Sequence, residues 1–372
     1  MIDKIIDQAW ASLLASLLKK QNALRPEMGE EINLFVPQSR LLSLAYSNPG
    51  ICKLIYQAAK TSARRNANLI VRKLGMPPDY FWKFEFWPKA RAFTNLGKIV
   101  NKVFSSMMSQ AKEGNFEILD LDIDPLRIST NFSDCVECAG ISGFQQGICY
   151  YHAGVFSGII SGLINRDLDG FETSCRASGG SSCALTLGDK TEEFIKTGMD
   201  RYLSPADMNT DLASRLEKTF LNLPVRALLG SQVNINYLKL VLACALLADP
   251  QSYATSHFTV GTELAHKLAP VLARFYKHEG LQAISDYYSQ LDEFKLNVKK
   301  NDAALELIIK ECAELAGDVK VIEMLSFTLG ELQVLISEFS KTEMNIVESR
   351  FEGNKLLLTL MGSNEAGFLL DR

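Results

Sequence analysis

The chain has 372 residues, of which 47% are hydrophobic and 22% are charged, and its formal net charge is -4. This balance is typical of folded globular proteins and excludes a disordered chain. The length is sufficient for two or three domains, and we expect two. Basic residues are scattered in small clusters, so no nucleic-acid partner is predicted. The opening MIDKIIDQAW mixes acids with apolar residues, and no apolar run reaches the roughly 18 to 20 residues of a membrane-spanning helix. We therefore expect a cytoplasmic protein without a transmembrane segment.

The chain contains eight cysteines. In a cytoplasmic protein this number favours metal binding, redox chemistry or simple burial over a disulfide framework. Five of them fall within about fifty residues: Cys135, Cys138, Cys149, Cys175 and Cys183. The other three, Cys52, Cys244 and Cys312, stand alone in apolar helical patterns and are predicted to lie in the core.

Apolar residues at three- and four-residue spacings predict an amphipathic helix within residues 1–34. Its apolar stripe is expected to pack on its own domain or on a second subunit, with a membrane surface as the alternative. A second helix is predicted over about 49–74, where Gly75-Met76-Pro77-Pro78 ends it.

The segment 80–87 contains six aromatic residues in eight positions. This density is too high for one face of a strand, so some of these side chains are expected to contact a ligand or a partner. Apolar walls are typical of small-molecule pockets, and packing in a core or a dimer contact is the alternative. The candidate ligand-binding residues are Tyr80, Trp82, Phe84, Trp87 and His152.

The next segments alternate between helical and strand patterns. A helix is predicted over about 94–111, a strand with one buried face over 116–122, and a second, paired strand over 128–138. An apolar helix over 149–165 places Gly154, Gly158 and Gly162 on one face, which predicts close packing of this helix on a sheet.

A hairpin is predicted where residues 171–177 and 183–187 flank Ser178-Gly179-Gly180-Ser181-Ser182. Its two arms bring Cys175 and Cys183 close together. Glu172 lies three residues before Cys175 and would face the opposite side of a regular strand, so a bulge or bend is required. Cys149 begins the glycine-containing helix and reaches the hairpin if that helix crosses the edge of the sheet.

Three thiolates and one carboxylate would then complete the tetrahedral donor set of a structural zinc site. Burial of the same side chains without a metal is the alternative. A rival set begins with Cys135 and Cys138, whose C-x-x-C spacing is typical of zinc knuckles and redox dithiols. This pair alone supplies only half a site. His152, three residues after Cys149, is an alternative to Glu172 as the fourth ligand.

The second half of the sequence repeats the first in weakened form. Glu137-Cys138-Ala139 corresponds to Glu311-Cys312-Ala313, and Glu172 corresponds to Glu348. The second copy lacks the hairpin cysteines and so cannot bind the metal. The predicted organisation is an N-terminal helix in 1–34, a zinc-binding domain in 35–190, a linker in 191–224 and a degenerate second domain in 225–372.

Three motifs carry a resemblance to the 4-vinyl reductase (4VR) domain family. They are FSDCVECAG at 132–140, YHAG at 151–154 in the glycine-containing helix, and ETSCRA at 172–177 with Cys183. The similarity extends over roughly residues 35–190, with a degenerate echo over about 225–362. In the aromatic-responsive sensory members of that family, zinc is held by a cysteine, a glutamate and two cysteines at spacings of 23, 3 and 8, the spacings of Cys149, Glu172, Cys175 and Cys183 here.

The resemblance implies an α+β fold with an antiparallel sheet flanked by helices, in two tandem copies of a domain whose fold the Bet-type subunits of the TRAPP tethering complex share. It also implies a structural zinc ion, dimerisation through helices and a hydrophobic small-molecule pocket beside the zinc. This chain departs from the transcription activators of the family, because it has neither a nucleotide P-loop nor an evident helix-turn-helix.

We therefore expect a non-enzymatic, zinc-containing module that binds a small hydrophobic ligand, aromatic or tetrapyrrole-like, with a sensory, carrier or assembly role. A homodimer or another protein partner is expected. The alternatives are an accessory factor or enzyme of tetrapyrrole (chlorophyll or bilin) metabolism and a dimeric scaffold protein. Direct reduction is disfavoured, because no Gly-x-Gly-x-x-Gly motif follows a predicted strand and no cysteine cluster remains for iron and sulfur.

Overall fold

The computed structural model of the protein describes residues 2–16, 25–48, 50–73, 77, 97, 100–189, 212–223, 225–276, 280–300, 304–315 and 321–363. Its helices are α1 (Ile2–Ser16), α2 (Phe35–Ser47), α3 (Ile51–Lys73), α4 (Ser105–Gln110), α5 (Tyr150–Ile164), α6 (Leu212–Phe220), α7 (Ile235–Ala248), α8 (Tyr253–Phe275), α9 (Gln282–Gln290) and α10 (Ser326–Ser340). Its strands are β1 (Glu31–Asn33), β2 (Asn115–Ile123), β3 (Leu126–Ser133), β4 (Leu168–Ser174), β5 (Cys183–Asp189), β6 (Gln232–Asn234), β7 (Lys295–Lys300), β8 (Ala304–Lys310), β9 (Met344–Glu352) and β10 (Lys355–Gly362).

The larger strands form two antiparallel sheets of four strands each. One sheet has the order β2-β3-β5-β4 and the other has the order β7-β8-β10-β9. Helices and antiparallel sheets together confirm the predicted α+β class. The identical strand order is the pattern that two copies of one domain would produce.

The chain divides into two compact units. Unit 1 consists of Met1–Gln21, Leu44–Thr210 and Pro224–Pro250, and unit 2 consists of Asn22–Ser43, Asp211–Leu223 and Gln251–Arg372. Each unit therefore includes a segment from the other half of the sequence. Strand β6 and helix α7 belong to unit 1, whereas β1 and the first turns of α2 belong to unit 2. The domain boundaries proposed from the sequence stay a prediction about the order of segments along the chain.

Both units bind a buried arginine in the same way. Arg226 in unit 1 donates from Nε to the carbonyl of Gly230 at 2.7 Å, and Arg25 in unit 2 donates from Nε to the carbonyl of Gly29 at 2.8 Å. In each unit the guanidinium also reaches the carbonyl two residues beyond that glycine, at 2.6 Å. The shared arrangement extends the similarity of the two units from strand order to side-chain contacts.

One correspondence between the halves is corrected by the backbone hydrogen bonds. The residue before Glu137 donates its N–H to the carbonyl of Glu113, and the residue before Glu314 donates to the carbonyl of Glu293, each at 2.9 Å. Glu314, rather than the predicted Glu311, therefore occupies the position of Glu137. The predicted correspondence was wrong by three residues.

Helix α5 is buried along nearly its whole length, and its glycine face packs against helix α3. A Cβ atom on Gly154 would lie 2.4 Å from the carbonyl oxygen of Tyr56, and one on Gly158 would lie 2.2 Å from that of Lys60. Gly162 is equally crowded by α3. Close packing of this face is confirmed, but the predicted partner is wrong. The glycines allow two helix backbones to approach each other, not a helix and a sheet.

Strand β3 ends at Ser133, five residues before the predicted end at Cys138. Asp134 has a positive φ of 52°, which lies outside the extended region and turns the chain. The N–H of Ala139 then donates to the carbonyl of Cys135 at 3.0 Å. Residues 135–139 thus form a helical turn, and Cys135 and Cys138 lie on it near each other.

The predicted helices at the N-terminus and over about 49–74 are confirmed by α1 and α3, and the predicted hairpin by β4 and β5. The helix expected over 94–111 is described from residue 100 onward, as a π-helical turn (Val100–Phe104) followed by α4. The proposed helix end at Gly75-Met76-Pro77-Pro78, apart from Pro77, and most of the linker lie outside the described residues. Among the described helices, none is both long and apolar enough to cross a membrane.

Candidate metal centre

The candidate centre lies in unit 1, where the start of helix α5 meets the β4–β5 hairpin. Cys149 immediately precedes α5, Cys175 immediately follows β4, and Cys183 is the first residue of β5. Because β4 and β5 pair in antiparallel fashion, the end of one and the start of the other lie at the same edge of the sheet. The hairpin thereby brings two cysteines to the start of the helix that supplies the third.

The sulfur atoms of these three cysteines form a nearly equilateral triangle. The Sγ–Sγ distances are 3.7 Å between Cys149 and Cys183, 3.9 Å between Cys149 and Cys175, and 3.9 Å between Cys175 and Cys183. A tetrahedral zinc ion with Zn–S bonds of about 2.3 Å separates its sulfur ligands by about 3.8 Å. The three thiols therefore already have the spacing of one face of a zinc tetrahedron.

Glu172 reaches the same place through a β-bulge. The register between β4 and β5 shifts between Glu172 and Ser174, which is the irregularity required for Glu172 to share a side with Cys175. Its Oε2 accepts a hydrogen bond from the backbone N–H of Cys149 at 2.8 Å. The donor atoms of Cys149, Glu172, Cys175 and Cys183 all lie within 4.8 Å of one another. The structure thus brings together the four residues that the sequence selects.

Space for the Glu172 carboxylate depends on Gly147. A Cβ atom at position 147 would lie 2.2 Å from Glu172 Oε2, so a larger residue would displace the carboxylate. No local pattern in the sequence marks Gly147, because its role depends on a strand that follows it by more than twenty residues.

All four donors are withdrawn from water. The exposed fraction is 4% for Glu172 and 1% or less for each of the three cysteines. Burial raises the pKa of the Cys149 thiol and of the Glu172 carboxyl, because their charged forms lose hydration. A bound cation favours the thiolate and carboxylate forms and reverses this effect. This set fits a metal ion enclosed by four protein ligands, which is the arrangement of structural rather than catalytic sites.

Two further thiols join the cluster from the turn after β3. Cys135 Sγ lies 3.4 Å from Cys149 Sγ, and Cys138 Sγ lies 3.2 Å from Cys183 Sγ. Cys183 is the cross-strand partner of Phe132, so the turn that follows β3 necessarily passes beside it. These four sulfurs form a second group of donors within 4.8 Å of one another. The C-x-x-C pair, half a site in the sequence, meets its other half in Cys149 and Cys183.

His152 lies outside both donor groups, in a buried network of unit 1. Its Nε2 is 3.3 Å from Glu113 Oε2, its Nδ1 contacts Glu137 Oε1, and its ring stacks on Tyr237 at a centroid distance of 5.5 Å. Burial lowers the pKa of His152, but the two carboxylates oppose this effect and the net direction is upward. With Glu172 on the cluster, His152 does not take the place of the fourth donor.

The remaining candidate ligand-binding residues, Tyr80, Trp82, Phe84 and Trp87, lie outside the described residues. Their contribution to a pocket stays a prediction. The same holds for His152, whose side chain is fully buried.

The fold and the cluster define an α+β protein with a buried, cysteine-rich group of possible metal ligands. Residues 128–189 match the family model of the 4-vinyl reductase domain, the family identified above by resemblance. The resemblance is confirmed over these residues, which contain all six donors of the cluster.

Two solved structures are similar to parts of the chain. One is the phenol-responsive sensory domain of the transcription activator PoxR with phenol, at 14% sequence identity and a TM-score of 0.31, covering 44% of this chain and 79% of that one. The other is a trafficking protein particle complex subunit 3 from Naegleria fowleri covalently bound to palmitic acid, at 12% identity and a TM-score of 0.30, covering 51% of this chain and 95% of that one. The comparison with curated proteins gives no match.

Proposed function

We propose that the protein is a non-enzymatic module that contains structural zinc and binds a small hydrophobic ligand, aromatic or tetrapyrrole-like. The observation that carries the zinc assignment is the triangle of three thiols at 3.7 to 3.9 Å, with the Glu172 carboxylate as the fourth donor. Thiolate-rich tetrahedral sets of this kind favour zinc over calcium, magnesium or manganese, which prefer oxygen ligands.

The proposed role of the metal is to fix the β4–β5 hairpin relative to the start of helix α5. The donors come from two segments that are separated in sequence, so one ion would cross-link them. Free energy of metal binding then contributes directly to folding of unit 1. All four coordination positions are filled by protein, which leaves no site for a substrate on this ion and supports a non-enzymatic role.

The ligand-binding half of the proposal is supported by the match to the 4-vinyl reductase domain and by the aromatic segment 80–87. Large aromatic side chains supply the apolar walls that a flat hydrophobic molecule needs. A sensory, carrier or assembly role is compatible with such binding. A homodimer or a protein partner would serve each of these roles.

Metal content tests the first half. Zinc per chain is measured by native mass spectrometry and elemental analysis in the wild type, in Cys183→Ser, and in the matched control Cys244→Ser. Cys244 is also buried in unit 1, on helix α7, but lies outside both donor groups. We expect zinc in the wild type and the control, and its loss with a lower melting temperature in Cys183→Ser. A wild-type protein that is folded without any metal would contradict the assignment.

Ligand binding is tested with phenol and protoporphyrin as probes of the two ligand classes. The chain contains three tryptophans, so quenching of Trp82 or Trp87 can be separated from that of Trp10 by substitution. We expect a saturable fluorescence change with one class of probe that is lost in Trp82→Leu or Trp87→Leu. The control Trp10→Phe, which removes a side chain that bonds Ser62 in the core, should retain it. No response to either probe in the metal-loaded protein would overturn this half of the proposal.

A further inference from the structure

The two donor groups of the cluster share an edge. Cys149 and Cys183 belong to both groups, and their sulfurs lie 3.7 Å apart. Glu172 and Cys175 complete one group, and Cys135 and Cys138 complete the other. Two tetrahedra that share an edge need six donors, which is the number that the cluster provides.

We propose that this cluster binds two metal ions, with Cys149 and Cys183 as bridging thiolates. The inference extends the proposed function, since the first ion occupies the zinc site described above. The second ion, also a thiolate-preferring divalent metal such as zinc, is held by Cys135, Cys138, Cys149 and Cys183. Each terminal thiolate binds one ion, and each bridging thiolate binds one ion through each of two sulfur lone pairs.

The second group has the contacts of a compact donor set. Cys138 contacts Cys135, Cys149 and Cys183, and Cys183 in turn contacts Cys135. All four sulfurs are buried. The two shortest distances, 3.2 and 3.4 Å, would open by about half an ångström to reach the sulfur spacing of about 3.8 Å around a zinc ion. The turn of residues 135–139 is a single element, so a small rotation of it achieves this.

The charge of the cluster favours occupation by two ions. One divalent ion among three thiolates and a carboxylate leaves a net charge of minus two in a buried site. A second divalent ion together with two more thiolates adds no net charge. The second ion therefore costs no additional buried net charge, which is the dominant penalty for burying ionised groups.

Cationic side chains lie on the side of the second group. His152 contacts Cys135. Arg226 donates to the carbonyl of Asp134, the residue before Cys135, at 3.4 Å. Outer-shell donors of this kind orient thiolate ligands and balance their charge. The residual negative charge of a two-metal cluster thus has partners in unit 1.

The number of ions per chain tests the inference. The full-length protein is reconstituted with Zn²⁺ and counted by native mass spectrometry. We expect two ions in the wild type, one in Cys135→Ser/Cys138→Ser, and one in Cys175→Ser, which leaves the second group complete. The double variant Cys52→Ser/Cys244→Ser, in which both replaced thiols are buried outside the cluster, should retain two.

A second measurement uses the wild type alone, so it does not depend on whether a variant folds. With Co²⁺ in place of zinc, bridging thiolates couple the electron spins of two neighbouring ions. The paramagnetic resonance signal should therefore rise up to one equivalent and fall between one and two. A wild type that holds one ion, with Cys175→Ser holding none, overturns the two-ion cluster and leaves the proposed zinc site intact. A wild type that holds no ion overturns both.

Discussion

Arg40 Nη2 donates to Glu293 Oε1 across 2.5 Å, and neither side chain has any exposed surface. Two more carboxylates of unit 2 lie near the same guanidinium, Glu314 at 3.5 Å and Glu331 at 3.8 Å. The centre of this unit therefore contains three buried acids around one cation. Burial raises the pKa of Glu293 to about 8, although Arg40 acts to lower it. At neutral pH the group is best described as sharing protons as well as ion pairs.

Replacing Arg40 with alanine is expected to destabilise unit 2 strongly. The change leaves three buried acids without their cation, and breaking a buried pair in this way typically costs about 3 to 5 kcal/mol. Urea denaturation followed by circular dichroism measures the effect. The control is Arg350→Ala, which removes exposed pairs with Glu348 and Glu352 and should cost less than about 1 kcal/mol. Equal losses in both variants would contradict this view of Arg40.

The same group makes the stability of unit 2 depend on pH. The pKa of Glu293 is about 8 in the folded state, whereas its ordinary pKa is 4.5. The contribution of the protonated form is fully present below the lower value and is lost as pH rises through the higher one. The free energy of unfolding should therefore fall between pH 5 and pH 9, by at most about 1.4 kcal/mol per pH unit for one group. Denaturation curves across this range measure it.

Glu293→Gln provides the control for that pH profile. The amide keeps the volume of the side chain and its contact distance to Arg40 and Thr328, but it does not titrate. The decline toward high pH should become shallower in this variant. A wild-type stability that rises from pH 5 to pH 9 would contradict the assigned proton.

Gly158→Ala is expected to separate helices α5 and α3. The added Cβ would lie 2.2 Å from the carbonyl oxygen of Lys60, a backbone atom that cannot move without shifting the helix. Overpacking of this kind typically costs about 1 to 3 kcal/mol. Gly97→Ala is the matched control, because no described atom lies within 4 Å of its Cβ position. Thermal melts of the two variants should differ by several degrees, and equal melts would argue against close packing of the helices.

Gly147→Ala is expected to weaken metal binding while leaving the cysteines in place. The new methyl group occupies the position of the Glu172 carboxylate, so the fourth donor is displaced. Loss of a supporting group around a metal typically reduces affinity by about 10- to 100-fold. Competition with a chromophoric chelator measures this, with the exposed Arg127→Ala as the control. Unchanged affinity would show that Glu172 does not bind the ion.

The candidate centre could be predicted from the sequence because its determinants are local. A hairpin signature places Cys175 and Cys183 together, and strand alternation shows that Glu172 needs a bulge, which β4 has. The position of the Cys135–Cys138 pair could not be predicted in this way. It depends on the positive φ of Asp134 and on the cross-strand register, and neither leaves a pattern in the residues themselves.

Helix α2 shows why parts of the fold escape sequence patterns. Its residues 35–45 are all buried, including Gln38, Ser39 and Arg40, so the helix has no polar face and no amphipathic period. Pro37 lies in its first turn, where proline is tolerated although it usually signals a break. The buried polar residues belong to this helix because their partners, such as Glu293, lie far along the chain.

The assignment of residues 224–250 to unit 1 has a consequence for synthesis of the protein. Helix α7 packs against α1 and α3, yet it leaves the ribosome about sixty residues after β5, which at roughly 5 to 20 residues per second is a delay of several seconds. All six donors of the cluster have been made by then. Metal captured during this interval would hold the hairpin to helix α5 while the apolar faces of α1 and α3 await their last neighbour. Metal supply during translation would then decide how long an incomplete, aggregation-prone intermediate persists.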